Sequence, residues 1–133
     1  NHYPPPCKKT DFAFSFHGKE YLAEVKHDIM SKHTGNLAIE CMNVNQSDTS
    51  GILSTEADVW FHVCYNPDKL ILFNSTKNLK KKLTTCEPIR VVNRGGDNNA
   101  NFFLFNIEYV IENKMLYILY NHKVYYLLDH ILD

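Results

Sequence analysis

The chain has 133 residues, of which 44% are apolar, 22% charged and 13% aromatic, with a formal net charge of −1. That length predicts one domain, and the apolar fraction, with eight Phe, eight Tyr and one Trp, excludes a disordered chain. No apolar run approaches the roughly 18–20 residues of a membrane span, and the near-neutral charge excludes a strongly basic nucleic-acid coat while leaving room for a local basic patch.

Residues 1–10 read as an arm, because Pro4, Pro5 and Pro6 cannot enter a central strand. The arm lacks the apolar segment of a signal peptide, and residues 11–133 are expected to form the single domain. Residues 11–16 alternate Phe with smaller residues, the period of a half-buried strand. His17-Gly18-Lys19 is the turn signal, and residues 20–26 alternate again, which predicts a β-hairpin. On its second strand Glu24, Lys26 and Asp28 share one face, and Tyr21, Ala23 and Val25 share the other.

Residues 29–36 read as a loop with Thr34-Gly35-Asn36 as its turn. A third strand is expected over 37–42, a short helix over 52–58, and a fourth strand over 59–65, whose near-continuous apolar run predicts a central position. Residues 69–73 read as a fifth strand. Asn74 or Ser75 then caps a helix that runs to about Cys86. The apolar stretches 102–111 and 115–128 fit either a late strand plus a terminal helix or a second hairpin. The sum is an α/β fold: a mixed sheet with an N-terminal antiparallel meander, flanked by helices.

Cys7, Cys41, Cys64 and Cys86 contain no CxxC pair, which argues against a zinc ribbon. Cys41 and Cys64 lie in apolar runs and read as small buried hydrophobes. Reduced thiols imply a cytoplasmic or nuclear setting. The sequons at Asn45 and Asn74 point the other way, to a secreted disulfide-containing binding protein, and that alternative stays open.

The chemistry lies in residues 11–42. Asp11 opens one strand, and Glu24 and Lys26 share a face of the next. Carboxylates on adjacent strand ends suit Mg²⁺ or Mn²⁺, hard cations that take oxygen ligands. Such a metal assists phosphodiester hydrolysis, and a lysine two residues after a carboxylate can stabilise the transition-state charge. Asp28 and Glu40 are further ligand candidates. Glu40 is bracketed by Ile39 and Cys41, where an unpaired carboxylate is costly.

Asp11 followed by Glu24-x-Lys26 resembles the signature of the PD-(D/E)xK nuclease superfamily. The segments Glu24-Val-Lys-His-Asp28, Thr34-Gly-Asn-Leu-Ala-Ile-Glu40, Ser50-Gly51-Ile52 and Thr55-Glu-Ala-Asp58-Val-Trp60 look like those of small phage and viral nuclease-like proteins. The resemblance covers residues 11–65. It implies a restriction-endonuclease-like core and a metal-dependent endonuclease with Asp11, Glu24 and Lys26 as catalytic residues. Asp11, Glu24, Asp28 and Glu40 are then its Mg²⁺ or Mn²⁺ ligands. It also implies nucleic acid as the partner, DNA ahead of RNA, and pairing of two copies as a homodimer to cut both strands. A second register makes Asp28 and Glu40 the metal pair. The motif lysine then falls at Met42, which cannot serve, and Lys26 acts from the neighbouring strand.

Plainer readings exist for each feature. Glu24 and Lys26 also describe a solvated strand face whose pair contributes a few tenths of a kcal/mol, about 0.2–1. Lys80, Lys81 and Lys82, with Arg90 and Arg94, suit nucleic-acid phosphates or an ordinary helix surface. His62 is expected in the core, whereas His27 and His33 lie near the motif. A non-catalytic nucleic-acid or protein binding module on a degenerate nuclease fold is the rival to the enzyme.

Overall fold

A computed structural model describes residues 10–43, 48–49, 51–93 and 100–119 of the chain. Phe12–Phe16 forms strand β1 and Lys19–His27 strand β2, paired antiparallel with Phe14 opposite Tyr21. Their two-residue connection is His17-Gly18, with φ of 52° and 77°. Positive φ at both positions is what a type I′ hairpin turn requires.

The expected loop over 29–36 contains one turn of helix, α1 at Ser31–Thr34. It ends at Gly35, whose φ of 70° lets its N–H close back on the Ser31 carbonyl at 2.8 Å. Strand β3 follows at Asn36–Asn43 and β4 at Asp48–Thr49. A single 3-10 turn, Gly51–Leu53, stands where a helix was expected over 52–58. Strand β5 is Val59–Tyr65, and β6 is Lys69–Ser75, two residues longer than its apolar run. Helix α2 is Thr76–Thr85, and the Ser75 side chain caps it by accepting the Asn78 N–H at 3.1 Å.

Strand β7 is Arg90–Asn93; of the undecided stretches, 102–111 falls in β8 at Ala100–Asn106 and α3 at Ile107–Glu112, and 115–128 holds β9 at Tyr117–Ile118, with 120–128 outside the described residues. Asn106 ends the strand inside the apolar run, because its side-chain oxygen accepts the N–H groups of Glu108 and Tyr109 and so starts a helix.

The protein is mixed α/β, mostly strands in two sheets. One sheet has the order β1-β2-β5-β6-β9 and the other β4-β3-β8-β7. The parallel pair is β2 with β5. β5 lies at the centre of its sheet, as its apolar run predicts. Two expectations need correction. The antiparallel meander stops at the first hairpin, because β3 pairs with β8 in the other sheet, with Ile39 opposite Phe103. Alternation gives a strand its faces but not its partner. Flanking helices are also sparse: among the described residues the longest has 10 residues. The apolar stretch 102–111 is shared between strand β8 and helix α3.

Alternation along β2 and β5 puts Glu24 and Lys26 on the same sheet face as Trp60, His62 and Cys64. That face looks into the main core, where Trp60, Cys64 and Leu72 meet Leu37, Ile39 and Phe105 of the other sheet. The opposite face carries a second cluster of Phe16, Val59 and Phe73 with Phe14, Tyr21 and Phe61. Two charged residues of β2 therefore stand at the margin of an apolar interior, where charge is costly unless paired.

Candidate active site

Asp28 is the most firmly held carboxylate of the region. It follows β2 directly, and its Oδ2 accepts the Ala38 N–H of β3 at 2.8 Å. The same oxygen lies 3.1 Å from Nε2 of His62, which is 1% exposed. Burial pushes the Asp28 carboxyl up. The hydrogen bonds from His62 and from the Ala38 N–H outweigh that, and the net position is below the usual carboxylate value. The Asp28 carbonyl accepts the Ser31 hydroxyl at 2.6 Å, and Ser31 Oγ in turn accepts the Tyr65 N–H at 2.9 Å. The junction of β2, α1, β3 and β5 is thus tied together around this residue.

A cavity of about 310 Å³ opens beside it, lined by Lys26, His27, Asp28, Glu40, His62 and Phe102 among others. Glu40 reaches it from β3. The backbone there is held by close approach to Gly51, where φ is 55° and an added Cβ would run into the Glu40 carbonyl. His27 is fixed by its Nε2, 3.1 Å from the Tyr65 hydroxyl.

Lys26 connects this cavity to a smaller one of about 230 Å³, which Glu24, Gly51, Ser54 and Thr55 also line. Its ammonium lies 3.4 Å from Glu24 Oε2 and 5.8 Å from the centre of the Trp60 ring. The Thr55 hydroxyl donates to Glu24 Oε1 at 3.4 Å. Burial raises the Glu24 carboxyl above its usual value, Lys26 pulls it back, and Asp11 adds to the rise. The net effect is a carboxylate that takes up a proton more readily than an exposed one.

Asp11 stands apart from both cavities. Its N–H donates to the Ala23 carbonyl at 2.9 Å and its Oδ2 accepts the Val25 N–H at 2.7 Å. It continues the β1–β2 ladder beyond the last strand pair, so its carboxylate does backbone work at the sheet edge. The residues brought together around one cavity are therefore Lys26, Asp28 and Glu40. Lys26 and Asp28 come from β2 and the residue after it, and Glu40 comes from β3 of the other sheet, while the ammonium of Lys26 pairs with Glu24.

The basic candidates separate. Lys81 and Lys82 on α2 line a polar cleft of about 530 Å³ with Lys114, which the sequence reading did not single out; Lys80 does not line it. Arg90 opens β7 and borders a groove that adjoins the carboxylate cavity. Arg94 lies outside the described residues, as do Cys7 and the Asn45 sequon. Asn74 of the other sequon is 1% exposed, and its amide donates to the Met115 carbonyl at 2.9 Å. Cys41, Cys64 and Cys86 are free thiols. Burial, with Asp28 nearby, pushes the Cys64 thiol up to about 11, which makes it unreactive.

Several residues to which the sequence reading gave no role at the site border it: His62, Trp60, Thr55, Gly51 and Phe102. The signal for the first two was present, since a His two positions from the only Trp shares its strand face. The expectation of a core histidine is right about burial and silent about its partners.

The carboxylates lining the cavity of about 310 Å³ are Asp28 and Glu40, and a hard divalent cation takes oxygen ligands. Among the described residues no three Asp, Glu, His or Cys side chains converge on one point. Asp28 and Glu40 would hold Mg²⁺ or Mn²⁺ with water and substrate oxygens completing the sphere, as Mg²⁺ commonly does. Compared with protein-family models, with curated proteins and with solved structures, the chain matches none. Among the described residues no helix is long and apolar enough to cross a membrane.

Proposed function

We propose that this protein is a metal-dependent nuclease that hydrolyses phosphodiester bonds of nucleic acid, on a restriction-endonuclease-like core. The observation that carries the reading is the meeting of Lys26, Asp28 and Glu40 at one cavity, although they come from two strands of different sheets and the junction after β2.

A bound Mg²⁺ or Mn²⁺ would supply Lewis acidity and a more acidic water. The chain's own residues do the rest. Asp28 stays ionised, because His62 and the Ala38 N–H hold its Oδ2. Glu40 supplies the second carboxylate. Lys26 presents a positive charge where negative charge builds up on the phosphoryl oxygens. Glu24 and the Trp60 ring hold that lysine in place. Asp11 acts through the β1–β2 ladder and through its charge on Glu24.

The test is incubation with single- and double-stranded DNA and RNA in Mg²⁺ or Mn²⁺, with EDTA as control. Metal-dependent cleavage is expected. It should drop by orders of magnitude in Asp28→Asn and Glu40→Gln, with the circular dichroism spectrum retained. In parallel, Mn²⁺ should raise the melting temperature of the wild type. A ligand that binds only the native state adds about 2.7 kcal/mol at a hundredfold excess over Kd. Binding of nucleic acid without cleavage would return the protein to the non-catalytic module.

A further inference from the structure

Beside the carboxylate cavity lies a second one of about 190 Å³, and the two share Asp28, Met30, Ala38 and Phe102 as walls. This annex runs across the β3–β8–β7 sheet. Ala38, Leu104 and Arg90 are register neighbours there, as are Glu40, Phe102 and Val92. Its floor is apolar, from Ala38, Val92, Phe102 and Leu104. Its polar margin consists of Thr34, Asn36 and Arg90, with the Asp28 carboxylate at the wall shared with the main cavity. Thr34 is occupied, donating to the Met30 carbonyl and accepting the Asn36 N–H. Among the described residues no hydrogen bond or ion pair engages the Asn36 amide or the Arg90 guanidinium.

An apolar floor flanked by one guanidinium and one free amide has the chemistry of a nucleotide seat. A base ring covers the floor, the amide meets a base edge, and the guanidinium takes a phosphate. We infer that the annex receives one unpaired nucleobase, with Arg90 on its phosphate, so that the substrate is a single strand. The inference rests on the nuclease reading. That reading supplies nucleic acid, and the annex decides its form.

A base inside a duplex is stacked and paired, so it enters such a recess only after extrusion, at a cost of a few kcal/mol. A single strand avoids that cost. Charge supports the same occupant. Arg90 is the cation of the annex, and Lys26 is the cation of the adjoining cavity. Successive phosphates of one strand can therefore meet alternating cation and carboxylate chemistry. At the mouth, Ile29 and Met30 are 60% and 56% exposed, which gives neighbouring bases apolar surface to cover. One copy of the chain then suffices for a cut.

The experiment compares the binding of short fluorescent single strands, DNA and RNA, with a duplex of the same sequence, by anisotropy in EDTA. Hydrolysis of bis(p-nitrophenyl) phosphate by the wild type in Mn²⁺ is measured separately, since that small diester needs no base seat. Wild type should bind a single strand of either sugar about tenfold or more tighter than the duplex. Val92→Trp fills the annex and should remove the preference. Arg90→Ala, at an exposed position, should weaken single-strand binding and lower its salt slope by about 0.7, one phosphate contact. Equal affinity for the two forms overturns the inference. So does a preference that survives both substitutions. Failure to hydrolyse the small diester removes the nuclease reading instead, and the binding preference then judges the annex alone.

Discussion

The indole N–H of Trp60 donates to Nδ1 of His62 at 3.2 Å. An indole nitrogen can only donate, so Nδ1 accepts and the ring proton sits on Nε2, which faces Asp28 Oδ2 at 3.1 Å. A tryptophan thereby sets the tautomer of a histidine, and the histidine sets the orientation of a carboxylate. The two rings lie on one face of β5 with an interplanar angle of 25°.

Trp60→Phe keeps the aromatic volume and removes the donor. A buried acceptor is left unpaired, and we expect a loss of about 1–2 kcal/mol, read from the urea midpoint. The ring nitrogen chemical shifts of His62 should change from one tautomer to a mixture. An unchanged midpoint together with an unchanged tautomer would sink the relay.

Asp28 makes stability depend on pH with a definite sign. Its folded carboxyl sits below the ordinary 3.8, so the unfolded chain binds its proton first as the pH falls. The stability it contributes is complete above 3.8 and is lost as the pH falls through the lower folded value. Asp28→Asn lacks this dependence. Melting curves of the two proteins should be furthest apart above that range and converge in acid. Curves that stay parallel would show that Asp28 is not held as described.

Glu24 has the opposite sign. Its carboxyl is raised above the ordinary 4.5, chiefly by burial, so the charged form costs stability at neutral pH. Glu24→Gln should therefore melt at or above the wild-type temperature near pH 7, with the gain fading as the pH falls through the raised value toward 4.5. Activity should fall in the same variant, because Lys26 loses its partner at 3.4 Å. A variant that melts well below wild type at neutral pH would count against a strained carboxylate.

Gly51 is required twice over, by its φ of 55° and by the Glu40 carbonyl beside it. Gly51→Ala should destabilise by about 1–3 kcal/mol as the neighbour is forced away. Since Glu40 is the residue displaced, Mn²⁺ should protect this variant against heat less than it protects wild type. Equal protection would separate Glu40 from any metal.

Much of the local structure is legible in the sequence for simple reasons. The Phe12, Phe14 and Phe16 alternation, the His17-Gly18 turn and the run over 59–65 each depend on neighbours close in the chain, and each formed. The placement of Glu24 and Lys26 on one face of β2 follows from the two-residue period alone. Partner choice does not follow from it. β3 has a clear period and still joins β8 rather than the hairpin, because which sheet a strand enters depends on the whole core it must cover. The Asn106 cap ended an apolar run that pattern alone could not divide.

The candidate site shows the same split. Sequence alone supplied its charged residues: Lys26 and Asp28 through their two-residue spacing from Glu24, and Glu40 through its place between Ile39 and Cys41. Only the tertiary structure joined them at one cavity and set Asp11 aside to cap the Val25 N–H. Only it turned His62 from a core residue into the partner of Asp28, since a hydrogen bond depends on distance between strands and carries no period along the chain.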